Sequence, residues 1–70
     1  MKNAESHTCV VVATKCVLEA APTIDNKTLS KVIHSQFADI DSTEVIRSIH
    51  LAIWWFNNKY SNLKRNYKNL

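Results

Sequence analysis

Glycine occurs nowhere in the chain, and proline occurs once, at Pro22. Residues without a Cβ are what let backbone amides close on a phosphate and let strands reverse in two-residue turns. A Walker loop, a dinucleotide fingerprint and a nucleophile elbow each need glycines at set places. Enzymes built on those devices are excluded, tight hairpins are disfavoured, and an all-α fold is expected.

Seventy residues suffice for one domain, spanning 1–70. A domain this small buries only about 60% of its unfolded surface, so many such proteins lean on disulfides, a metal or a second subunit. Two cysteines, Cys9 and Cys16, are too few for a disulfide scaffold. The longest apolar run, Leu51 to Phe56, is far below the ~20 residues of a membrane span. The N-terminal MKNAESHT lacks the apolar centre of a signal peptide. The expectation is a cytoplasmic protein, reduced, that associates with itself.

Three helices are predicted. In AESHTCVVVATKCVLEAA, two overlapping stripes have helical spacing: Cys9, Ala13, Cys16, Ala20 and Val10, Ala13, Val17, Ala20. The β-branched triplet Val10–Val12 also suits a strand, but the segment's length and alanines favour a helix ending before Pro22. PTIDNK is a turn with Asp25 as N-cap. Leu29, Val32, Ile33 and Phe37 then mark a second helix over 26–37. Asp41 and Glu44 have the spacing of a capping box opening the third.

Helix 3 is expected to be long. Ile46, Ile53, Tyr60 and Tyr67 recur every seven residues, as do Ile49, Phe56, Leu63 and Leu70, a 4-3 pattern running to the chain's end. Asn57 and Asn58 are the places where it would break. Between Val45 and Phe56 nearly every side is apolar, which implies burial on more than one face. Packing on helices 1 and 2 covers one side, and a second copy is the simplest cover for the other. A helical homodimer is therefore expected, with Ile46, Ile49, Ile53, Trp54, Trp55, Phe56, Tyr60 and Leu63 at the dimer or partner interface.

Charge is uneven. Residues 1–56 carry five bases and six acids, whereas 57–70, a basic amphipathic extension, carry Lys59, Lys64, Arg65 and Lys68 with no acid. Those four could neutralise the helix C-terminus, meet an acidic protein or contact phosphate. Cys9 and Cys16 lie about 10 Å apart along a helix, too far to share a metal, and read as small buried hydrophobes. His34 and His50 read as boundary histidines, with acid sensing at an interface as the sharper alternative. Nothing supports a nucleophile, a cofactor, a metal or a small-molecule substrate, so no enzyme is expected. A helix-turn-helix would put Thr43, Arg47 and Ser48 on base edges, but helix 3 is too apolar to serve as a recognition helix.

IDNKTLSKVIHSQF followed by STEVIRSIHLAI resembles the YmgB/AriR family of small enterobacterial regulators. The matching elements are Asn26-Lys27 opening a helix, Ile33-His34-Ser35 within it, and Val45-Ile46-Arg47 in the last helix, across residues 13 to 56. The twin tryptophans and the extension from Asn57 are departures from the family's pattern. The resemblance implies an all-helical, dimeric, non-enzymatic regulator of biofilm or stress responses, acting as a two-component connector or as a weak DNA binder. The expected function is thus regulation of gene expression by protein–protein binding. A low-specificity DNA binder using the basic tail, and a phage or mobile-element inhibitor of a host protein, are the alternatives.

Overall fold

The computed structural model describes residues 4–65, with side chains from His7 onward. The described residues form three α-helices, α1 (Ala4–Ala20), α2 (Asn26–Gln36) and α3 (Ser42–Lys59), then a short 3-10 turn, Ser61–Leu63, and no strand. No helix among them is long and apolar enough to cross a membrane.

α1 stays helical despite its valine triplet because Val10 and Val11 are both drawn into the core with Leu18. Packing outweighs the mild β preference of those residues. Thr14 is buried on the same face, its hydroxyl donating to the Val10 carbonyl at 2.7 Å. That bond satisfies the hydroxyl within its own helix, so no partner across the core is needed. The true core stripe is Val10, Val11, Thr14 and Leu18. Cys9 and Cys16 lie on the opposite, exposed side, contrary to the expectation that they are buried.

Backbone bonds from Ala21 N to Val17 O and from Ile24 N to Ala21 O close α1 and turn the chain. Asp25 caps α2 as expected: its carboxylate accepts from Thr28 N at 3.4 Å and from Thr28 Oγ1 at 2.6 Å. Those bonds hold its carboxyl below the ordinary range. Asp41 starts α3 differently. It makes no side-chain capping bond, so the box expected with Glu44 is not formed, and the helix opens on the backbone bond from Val45 N to Asp41 O. Glu44 still contributes favourable charge to that first turn.

α1 and α3 run parallel: His7 meets Ser48, and Glu19 meets Lys59 and Tyr60. α2 returns between them, its first residue, Asn26, touching Arg65 beyond the end of α3. The core lies among all three helices, with Leu29 and Ile33 from α2 and Val45, Ile49, Ala52, Ile53 and Phe56 from α3 fully enclosed. Phe37, Ile40 and Trp55 pack around its edge.

The expected long helix is corrected. α3 passes through Asn57 and Asn58 but ends at Lys59. Asn57 Nδ2 donates to the Arg65 carbonyl and Arg65 N donates to Asn57 Oδ1, each at 2.9 Å. This reciprocal pair brings residue 65 back beside residue 57, which a continuous helix would carry about 12 Å away. Tyr67 and Leu70 of the expected stripe lie outside the described residues.

Candidate protein-binding face of α3

The residues expected to form an interface separate into three groups. Ile49, Ile53 and Phe56 are wholly enclosed by their own chain and cannot meet a partner in the folded state, which corrects that part of the expectation. Ile46, Trp55 and Tyr60 are half-buried, with the Tyr60 ring packed against Phe56 at 5.0 Å between centroids and tilted by 47°. Trp54 and Leu63 stand in solvent, at 56% and 46% exposure. The cause is angular: at about 100° per residue, 45, 49, 52, 53 and 56 share one arc, and 47, 51, 54 and 58 the opposite one. Adjacent residues Ile53 and Trp54 therefore have opposite environments.

The outer arc holds Arg47, Leu51, Trp54 and Asn58, all exposed. Leu51 is 44% exposed, and Trp55 borders it half-buried. A shallow cleft of about 300 Å³ opens beside Trp54, lined also by Asn57, Asn58 and Lys64. Asn58 Nδ2 donates back to the Trp54 carbonyl at 2.8 Å, and Asn57 is committed to Arg65. The cleft is thus walled by the indole, with Lys64 as its charged group. Sequence reasoning did not place Leu51 or Arg47 at the interface. The usable signal was their spacing relative to Trp54, complementary to the core arc.

The basic residues are not a common phosphate-binding row. Arg65 is folded inward: its guanidinium donates to Asn26 Oδ1 and to the Pro22 carbonyl, each at 2.8 Å, and lies 5.6 Å over the Phe56 ring. Its Nε is buried with no acceptor. Desolvation lowers the Arg65 pKa from its usual value, opposed by the charge of Asp25. Lys59 pairs with Glu19 at 3.0 Å and covers the rings of Trp55 and Tyr60. The Glu19 carboxyl is held low by hydrogen bonds from Lys59 and then Tyr60, and Lys59 is raised by its bond to Glu19. Lys64 is exposed, and Lys68 lies outside the described residues. Two of the four expected contact residues therefore serve the fold.

Ser48, one of the would-be base-reading residues, is buried. Its hydroxyl donates to the Glu44 carbonyl at 2.9 Å and lies 2.9 Å from His7 Nδ1, tying α3 to α1. His34 and His50 are half-buried on α2 and α3. Among the described residues, no group of three His, Cys, Asp or Glu side chains could hold a metal ion. Comparison with protein-family models, with curated proteins and with solved structures finds no match to this chain.

Proposed function

We propose that this chain is a small non-enzymatic regulatory protein that acts by binding another protein through the outer face of α3, in the manner of a connector that influences gene expression. The observation that carries this reading is Trp54, more than half exposed beside the exposed Leu51 on a helix whose other large apolar residues are mostly enclosed. Tryptophan is costly to leave in water and is enriched among the few residues that dominate protein interfaces. The resemblance to YmgB/AriR proteins favours the same class of function.

The need for a homodimer is reduced, because α3 is covered on its core side by its own chain, and the remaining apolar surface is a narrow stripe. The DNA-binding alternative loses Arg65 and Lys59 to internal contacts. A photoreactive residue placed at position 54, with position 31 on α2 as control, tests the proposal in cells that express the chain. A single defined adduct from 54 and none from 31 is the expected result. No adduct from 54, or the same adducts from both, refutes it. An adduct of twice the chain mass identifies the partner as a second copy.

A further inference from the structure

The outer face of α3 has a charge pattern that selects among partners. Leu51 and Trp54, three residues apart, form an exposed apolar ridge, and half-buried Trp55 borders it. Arg47, exposed, stands one turn before Leu51, and Lys64 lines the cleft at the other end beside Trp54. Along the side, the ammoniums of Lys15 and Lys59 lie 4.8 and 5.0 Å from the centroid of the Trp55 ring. Two acids share this side: Glu19 is bound to Lys59, and Glu44 is half-buried in the first turn of α3. Cations outnumber acids: Arg47 has Glu44 three residues before it at the amino end, and Lys64 is the charged group of the cleft at the other.

A second copy docked on this ridge by a two-fold axis would bring cations of one sign towards each other, which disfavours association. A nucleic acid would require donors presented to phosphates, yet Lys59 is paired with Glu19, Arg65 is turned inward, and the middle of the face is leucine and tryptophan. An amphipathic helix with acidic flanks satisfies both the ridge and its charges. We infer that this face receives an acidic amphipathic helix of another protein, its apolar stripe on Leu51 and Trp54 and its carboxylates toward Arg47, Lys64 and Lys15 beside Trp55. This rests on the outer face of α3 being the binding surface, and adds the chemistry of what binds there.

Calorimetric titration of the full chain with three probes tests it. The probes are a synthetic leucine-faced helix flanked by glutamates, the same helix with lysines in place of the glutamates, and a single-stranded oligonucleotide. The acidic helix is expected to bind about tenfold or more tightly than the basic one, and to weaken as salt rises. Trp54→Ala should reduce its affinity about tenfold with the helical circular dichroism unchanged, since the side chain is largely outside the core. Arg47→Glu should weaken the acidic helix and strengthen the basic one. Equal affinity for the two helices overturns the acidic chemistry while leaving α3 as a binding face. Tighter binding of the oligonucleotide, no binding of the acidic helix, or no effect of Trp54→Ala also overturns the inference.

Discussion

Ile53 and Trp54 are neighbours in sequence, both large and apolar, and truncating each to alanine should have very different consequences. Ile53 is fully enclosed within the chain. Ile53→Ala removes three side-chain carbons, at about 0.8 kcal/mol each, or roughly 2.4 kcal/mol of transfer free energy. The incompletely refilled cavity raises the cost to about 3–4 kcal/mol. A domain of this length has a total stability of only about 4–10 kcal/mol, so the loss is a large part of it. Trp54, largely in water, should cost less than about 1 kcal/mol when truncated. Urea unfolding followed by circular dichroism reads both. With a slope near 1 kcal/mol/M, Ile53→Ala moves the midpoint down by about 3 M and Trp54→Ala by under 1 M. The measurement is repeated over a wide range of protein concentration. A cost for Ile53→Ala below about 1 kcal/mol would refute the enclosed core. So would a deficit that fades as concentration rises, because Ile53 would then be buried by a second chain rather than by its own.

Three further outcomes are expected. Arg65→Ala removes two hydrogen bonds to Asn26 and Pro22 but also relieves the buried, unpartnered Nε, so a net loss near ~1 kcal/mol is expected; faster amide exchange at Ala21–Asn26 and 60–65, with the middle of α3 unchanged, checks it. Cys9 and Cys16 should both react with a disulfide reagent in the folded protein, and protection of either thiol would contradict their exposed placement. The Glu19–Lys59 pair should be complete between the two titrations: Glu19 titrates below its ordinary 4.5 in the fold, so its contribution is lost as pH falls through that lowered value, and Lys59 titrates above 10.5, so its share is lost as pH rises through the raised one. The difference in thermal midpoint between the native chain and Glu19→Gln should therefore be small, present at neutral pH and absent in strong acid, where persistence would exclude the pair as its source.

The helices were largely legible in the sequence, for reasons that can be named. Asp25 before a periodic segment, Pro22 after an alanine-rich one, and the lack of glycine each impose local geometry whatever the tertiary context. The stripe on α1 was read wrongly because Thr14 was passed over as polar. A hydroxyl that bonds back four residues can be buried without cost to the pattern, and it moved the core away from both cysteines. The end of α3 was missed for another reason. Tyr60 and Leu63 fit a seven-residue register, but the same residues fit a chain that turns after Lys59 and returns through Arg65. Periodicity alone does not separate those outcomes, since the deciding bond joins residues 57 and 65. Trp54 and Trp55, adjacent on a helix, point about 100° apart, yet which one faces water depends on the position of α1, and that position is set by contacts such as His7 with Ser48.

Parallel alignment of α1 and α3 places their carboxyl ends at one pole of the molecule, where α2 alone contributes an amino end. Two fractional negative poles gather there against one positive pole. Lys59 and Arg65 sit at this same pole, so part of the tail's cationic excess is balanced by the backbone and by Glu19. A distant polyanion would feel a weaker pull than the formal charge suggests, and attraction should grow only at short range, once a ligand is already near Lys64.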